Sequence, residues 1–113
     1  MPDQNLDAVR ELAPDLRFGE PRSPHERLAG YEFAARALDK CRATLVGLNG
    51  DYEFACPLDQ RFFRSSRIDA NAFREYVATG ATDAEVSAWI AKQTRSNSRS
   101  PAPLRKSREK APA

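Results

Sequence analysis

Apolar residues recur at helical spacing along most of the chain, whereas strict alternation of apolar and polar residues is confined to one short stretch. Leu6, Val9 and Leu12 lie three residues apart, which predicts a first helix over Asn5 to Leu12. Pro14 ends that helix, because the residue before a proline is disfavoured in helical conformation.

A second, longer helix is predicted from Pro24 to about Leu45. The run Ser23-Pro24-His25-Glu26 has the features of a capping box with proline at the first helical position. Gly30 falls inside this helix, and we attribute it to a close helix crossing. Arg42 lies on the apolar register, which predicts either snorkelling to solvent or a carboxylate partner. The buried stripe is expected to comprise Leu28, Tyr31, Ala35, Leu38 and Leu45.

The segment after this helix allows two interpretations. Asn49-Gly50 is a turn dipeptide, and the residues around it alternate, which is typical of a β-hairpin. A lone two-stranded hairpin is only marginally stable, so we favour a turn followed by one short extended piece. The sequence therefore predicts one short extended segment or hairpin near Leu48–Phe54.

Two shorter helices follow. The first opens at Cys56-Pro57, because proline suits the first helical position, and this places Cys56 at the N-cap. It breaks near Ser65-Ser66. Asp69 caps the second, which Gly80 ends.

The last helix starts at the capping box Thr82-Asp83-Ala84-Glu85, and its periodicity stops after Gln93. We therefore predict a mainly α fold, a compact bundle of four to five helices, in a chain of 113 residues. The predicted organisation is a short N-terminal helix in residues 1–14, a single helical domain in 15–93 and a disordered basic tail in 94–113.

Charge and composition narrow the function classes. Residues 94–113 contain six Lys or Arg and one Glu, which gives this segment a net charge of +5. Because the whole chain carries +2, residues 1–93 carry −3. No apolar run approaches the length that spans a bilayer, no signal peptide is visible, and we expect a cytoplasmic protein without membrane contact. The chain has two Cys and one His, too few ligands for a structural zinc site, so we expect no metal and no cofactor.

Three motifs resemble a known family. They are Arg22-Ser23-Pro24, Asp39-Lys40-Cys41-Arg42-Ala43 and Cys56-Pro57-Leu58-Asp59-Gln60-Arg61-Phe62, in one order at consistent spacing. The sequence is similar, from about Asp15 to Ile90, to a bacterial family known only as a domain of unknown function (number 5069). The resemblance therefore implies membership of this family but no particular activity. Cys41 departs from the alanine more usual in the family, which favours a packing role.

Three functional hypotheses follow from the residues. The first is an interaction or small anionic-ligand-binding module that uses a charged patch between the 24–45 helix and the Cys56–Phe63 segment, although the same residues suit a structural salt-bridge network. The second is a thiol-dependent enzyme or redox sensor that uses Cys56. The third is weak nucleic-acid binding through the 94–113 tail. The candidate ligand-binding residues are Arg36, Asp39, Lys40, Tyr52, Asp59 and Arg61.

Overall fold

The fold consists of five helices joined by turns, and the computed structural model describes residues 4–98. Within that range no strand forms, and the one β-type pairing is an isolated antiparallel bridge between Leu28 and Tyr31. The mainly α prediction is confirmed. No helix of residues 4–98 has both the length and the apolar character required to cross a membrane. The helices are α1 (Leu6–Leu12), α2 (Ala34–Leu45), α3 (Gln60–Ser66), α4 (Ala70–Val77) and α5 (Asp83–Ser98).

Helix α1 is held against the turn between α4 and α5. The Asn5 side chain caps it by accepting from the backbone N–H of Ala8 at 3.2 Å. The Asn5 backbone N–H donates to the carbonyl of Ala78 at 2.7 Å. A Cβ on Gly80 would lie 2.6 Å from the Ala8 Cβ, so this turn approaches α1 closely only because the residue is glycine.

The long second helix was predicted to start at Pro24, and this prediction is wrong by ten residues. Leu28 and Tyr31 exchange backbone hydrogen bonds of 3.1 and 3.0 Å, and the two residues between them have positive φ. That geometry is a type I′ turn, which requires positive φ at both central positions. Gly30, with φ 83°, therefore serves this turn and not a helix crossing. The capping box forms only a local turn, in which the Glu26 N–H donates to the Ser23 carbonyl at 3.1 Å.

The hairpin alternative also fails. No strand forms over Leu48–Phe54; instead, the backbone N–H of Tyr52 donates to the Asn49 carbonyl at 2.9 Å and closes a turn. The Asn49 side chain reinforces the turn by donating to the Tyr52 carbonyl at 2.8 Å. Two strands alone would leave most backbone groups dependent on solvent, whereas this turn satisfies them locally.

Helices α4 and α5 begin as predicted. Asp69 accepts from the backbone N–H of Ala72 at 2.9 Å. Thr82 and Glu85 form the complete capping box, with reciprocal bonds of 2.9 and 3.2 Å. Helix α5 continues to Ser98, five residues past the predicted end at Gln93, while the rest of the predicted tail lies outside the described residues.

The core is built around three phenylalanines from α3 and α4. Phe62, Phe63 and Phe73 are almost fully buried, with ring centroids 5.0–5.8 Å apart in tilted and edge-on arrangements. Trp89 stacks on Tyr76 at 5.1 Å beside them. These aromatic contacts pack α3 against α4 and α5.

Candidate functional site

Helix α2 runs through the middle of the molecule and buries charged side chains together with its apolar ones. Asp39, Lys40 and Arg42 are each less than a tenth exposed. Burying a charge without a partner costs several kcal/mol, so each of these three must find one nearby. The partners of Asp39 and Lys40 come from the segments before and after α2, and the partner of Arg42 comes from the start of α5.

Lys40 forms the first polar site, which we call the Lys40–Cys56–Asp59 cluster. The lysine Nζ lies 3.0 Å from the Cys56 Sγ and 3.0 Å from the Asp59 Oδ2. The side chains of Lys40 and Asp59 are 4% and 0% exposed, whereas Cys56 is only partly buried. The cluster therefore has a fixed, water-poor charged base and an accessible sulfur.

The loop that carries Cys56 differs from the prediction. The helix was expected to start at Pro57, but α3 begins at Gln60 and Asp59 occupies its N-cap position. The Asp59 side chain does not cap the helix; it turns back and accepts from the backbone N–H of Ala55 at 3.0 Å. Ala55 has φ 64°, a left-handed conformation that costs an alanine roughly 1 kcal/mol.

This strained turn presents the sulfur to the lysine. The Gln60 N–H donates to the Cys56 carbonyl at 3.0 Å, and the Gln60 side chain donates to the Ala55 carbonyl at 3.0 Å. Backbone strain of this kind persists only where the surrounding contacts impose it, and it concentrates at functional sites.

The two cysteines have opposite electrostatic environments. Burial raises the pKa of the Cys41 thiol to about 12. Partial burial also disfavours the Cys56 thiolate, but hydrogen bonds from Lys40 and from the Asp59 backbone outweigh it, so the pKa of Cys56 lies below its ordinary value. The charge of Asp59 opposes this effect only in part. Cys56 is thus the thiol of the two that suits nucleophilic chemistry.

The second polar site is an arginine–aspartate network of four residues, Arg22, Asp39, Arg42 and Asp83. Arg22 binds Asp39 through its Nε and Nη2 at 2.9–3.2 Å and through its backbone N–H at 2.9 Å. Asp83 bridges the two arginines, 2.9 Å from Arg22 Nη1 and 2.7 Å from Arg42 Nη1. Arg42 also donates to the Ala81 carbonyl at 2.8 Å.

These contacts tie the start of α5 to the middle of α2. Although partial burial raises it, hydrogen bonds from Arg42 and Arg22 hold the pKa of Asp83 below its ordinary value. Of the two alternatives predicted for Arg42, snorkelling and a carboxylate partner, the structure has the second, and the partner is Asp83. Every charge in the network is opposed by another, an arrangement that suits the structural salt-bridge network given as the alternative for the predicted patch.

The six residues predicted to form one charged patch are divided among several places. Lys40 and Asp59 lie together with Cys56, whereas Asp39 belongs to the arginine–aspartate network. The Arg36 guanidinium lies 5.7 Å from the Tyr52 ring centroid, and its Nη1 donates to the Arg22 carbonyl at 3.2 Å. The contacts of the six residues therefore fall into separate groups, and a ligand-binding role for them stays a prediction.

Arg61, the last of the six, lies apart on the outer face of α3. Its guanidinium carbon is 5.5 Å from the centroid of the Phe33 ring. Sequence reasoning missed two further arginines, Arg27 and Arg64, which line one surface groove together with Arg61. Because the 24–45 region was interpreted as one helix, nothing indicated that Arg27 lies opposite α3.

Sequence reasoning also missed the pairing of Lys40 with Cys56, since the two are sixteen residues apart and no periodicity links them. The available signal was the shared occurrence of Lys40, Cys56 and Asp59 in two of the three motifs. His25, the sole histidine, does not approach Cys56; its side chain is 79% exposed and its Nδ1 lies 3.7 Å from Glu32.

Fold and site together define a small helical domain with a buried Lys–Asp pair beneath an accessible thiol. Comparison with known families then identifies the family of this domain. A family model described as Domain of unknown function (DUF5069) matches residues 19–106, most of the chain, so the protein belongs to that family. No curated protein sequence matches it significantly.

Proposed function

We propose that the protein is a thiol-based redox module in which the Cys56 thiolate reacts with small hydroperoxides. The observation that carries this proposal is the position of the Lys40 Nζ, 3.0 Å from both the Cys56 Sγ and the Asp59 Oδ2. A cation at this distance stabilises the thiolate, and the thiolate is the nucleophilic form of cysteine. Asp59 holds the cation in place because its own burial leaves it no solvent partner.

The reaction balances without any further group on the protein. A sulfur lone pair attacks one oxygen of the hydroperoxide, an S–O bond forms and the O–O bond breaks. Cys56 becomes a sulfenic acid, and the alkoxide or hydroxide that leaves takes a proton from water. Asp59 Oδ1 is buried and accepts no hydrogen bond from the described residues, so it is available to the sulfenic O–H.

Small thiols of a reducing cytoplasm complete the cycle. One thiol displaces water from the sulfenic acid to give a mixed disulfide, and a second thiol releases Cys56 and forms the small-molecule disulfide. Both cysteines of the protein are free, which suits that compartment. The proposal therefore includes a cytoplasmic location.

The test compares the two cysteines in one protein. Iodoacetamide labelling followed by peptide mass spectrometry yields the rate at each cysteine between pH 6 and pH 10. We expect Cys56 to label with a midpoint below about 8.5, the ordinary cysteine value, and Cys41 to remain unlabelled in the folded protein. Hydrogen peroxide followed by dimedone is expected to trap sulfenic acid at Cys56 alone.

Two variants separate the role of the lysine from general damage. Lys40→Met is expected to move the labelling midpoint upward by about one pH unit or more, while Lys92→Met, at an exposed lysine of α5, leaves it unchanged. Because Lys40→Met also destabilises the fold, Asp59→Asn serves as a second variant, which removes the carboxylate but keeps the Lys40 cation beside Cys56. A wild-type midpoint at or above the ordinary cysteine value contradicts the proposal.

A different function was predicted for the basic tail, which lies largely outside the described residues. Weak nucleic-acid binding through 94–113 remains a proposal, supported by six Lys or Arg against one Glu in that segment. Deletion of residues 99–113 preserves all of α5 and is expected to abolish any salt-sensitive DNA retention. Retention by the truncated protein contradicts this proposal.

A further inference from the structure

A groove separates the type I′ turn from the outer face of α3. Its volume is about 510 Å³, within the range of small-molecule sites. It shares no lining residue with the Lys40–Cys56–Asp59 cluster. The polar lining consists of three arginines, one glutamate and one serine: Arg27, Arg61, Arg64, Glu32 and Ser65.

Among residues 4–98, none of these three arginines forms an ion pair with a carboxylate, and the paired Lys and Arg side chains include Arg10, Arg17, Arg22, Lys40 and Arg42. The single acid of the groove, Glu32, lies 3.7 Å from His25. The groove therefore presents about +2 net charge at neutral pH. By contrast, Arg22 and Arg42 form ion pairs with aspartates elsewhere in the molecule.

Both sides of the groove are held in place. Arg61 and Arg64 lie three residues apart on one face of α3, since Phe62 and Phe63 take the opposite face into the core. Contact with the Phe33 ring restrains the Arg61 guanidinium while leaving its N–H groups free to donate.

The opposite wall is the turn that carries Arg27 and Gly30. The reciprocal hydrogen bonds between Leu28 and Tyr31 fix its backbone, and the Phe33 N–H donates to the Pro24 carbonyl at 2.8 Å. Tyr31 in turn packs edge-on against the core residue Phe62, with ring centroids 5.6 Å apart. Two rigid walls thus hold three guanidinium groups around one space.

We infer that this groove binds a small molecule through a phosphate or diphosphate group. Guanidinium groups form paired N–H···O bonds with phosphate oxygens, and three of them around one cavity match a polyanion better than a single carboxylate. The volume exceeds that of a phosphate alone, so the bound molecule extends beyond its anionic group. This site retains the predicted role of Arg61 but replaces its predicted neighbours with Arg27 and Arg64.

Inorganic pyrophosphate and ADP are suitable probes, with adenosine as the uncharged comparison. We expect saturable chemical-shift changes in ¹H–¹⁵N spectra, including the arginine Nε–Hε signals, with both phosphate probes and none with adenosine. Tighter binding of ADP than of pyrophosphate indicates that the organic part is recognised; equal affinity indicates that the diphosphate alone supplies the contacts.

Arginine variants establish the location. Arg61→Ala and Arg64→Ala are expected to weaken binding about tenfold each, and Arg64→Lys to weaken it less, because lysine keeps the charge but not the paired donors. Arg95→Ala, at an exposed arginine of α5, and Cys56→Ser are expected to bind as the wild type does. No saturation by either phosphate probe at 10 mM overturns the inference, as does an equal loss in Arg95→Ala.

Discussion

Removing the charge of Lys40 tests the central pair of the cluster most directly. Lys40→Met keeps an unbranched apolar stem of similar length but leaves the Asp59 carboxylate without its cation. Asp59 is 0% exposed, so the remaining protein contact of its Oδ2 is the Ala55 N–H at 3.0 Å. Its Oδ1 has no partner among the described residues. The variant therefore strands a negative charge in the interior.

The cost follows from that geometry. Breaking a buried ion pair by removing one partner destabilises a protein by about 3–5 kcal/mol, because the other charge loses compensation without regaining solvent. For a domain of this size, such a loss lowers the melting temperature by roughly 15–30 °C. Replacing both charges avoids the stranded carboxylate, so Lys40→Met/Asp59→Asn is expected to recover about 2 kcal/mol or more relative to Lys40→Met.

Urea unfolding followed by circular dichroism measures these free energies for the wild type, both single variants and the double variant. Lys92→Met serves as the surface control and is expected to stay within about 0.5 kcal/mol of the wild type. The expected signature is strong non-additivity, with the double variant less damaged than the sum of the singles. Additive losses, or a double variant no more stable than Lys40→Met, show that the two charges do not stabilise each other.

Three further predictions concern the rest of the fold. The pKa of Asp83 is lowered in the folded state, so the contribution of Asp83 to stability is present above its unfolded pKa and is lost as pH falls through its folded pKa. The difference in unfolding free energy between wild type and Asp83→Asn should therefore narrow on acid titration below about pH 4. A difference that stays constant contradicts this prediction. Gly80→Ala should destabilise the protein more than Gly30→Ala, since both have positive φ but only Gly80 also meets Ala8; equal melting temperatures contradict this. Phe73→Ala should cost about 3–5 kcal/mol in urea unfolding, because Phe73 is fully buried against four other aromatic rings, and a loss below about 1 kcal/mol contradicts that packing.

The helix starts that the sequence predicted correctly are those with side-chain caps. Asn5, Asp69 and Thr82 each accept from a backbone N–H one turn ahead, as their positions before apolar runs indicated. The failure at Ser23-Pro24 has a physical cause. A capping box stabilises only the first turn, and Ala29-Gly30 adopts the left-handed conformation that closes a turn instead.

The site was harder to predict because its contacts are long-range. Periodicity placed Arg42 on the buried side of its helix and so predicted either snorkelling or a carboxylate partner, but it could not identify Asp83, which lies 41 residues away. Similarly, the sequence predicted Lys40 as a ligand-binding residue of a charged patch and gave no sign that its side chain is buried, with 3% exposed. Whether a charge is buried depends on what packs over it, and local spacing does not contain that information.

Side-chain contacts in the structure link the three sequence motifs to one another. Arg22 of the first motif binds Asp39 of the second, and Lys40 of the second binds Cys56 and Asp59 of the third. Arg22 and Asp39 close a network in which each charge is satisfied, which accounts for them structurally. The Lys40–Cys56–Asp59 cluster differs, because a purely structural Lys–Asp pair needs neither an accessible thiol nor a strained alanine beside it. The proposed thiol chemistry rests on this difference, since Ala55 is held in the left-handed conformation and the Lys40 hydrogen bond lowers the pKa of Cys56.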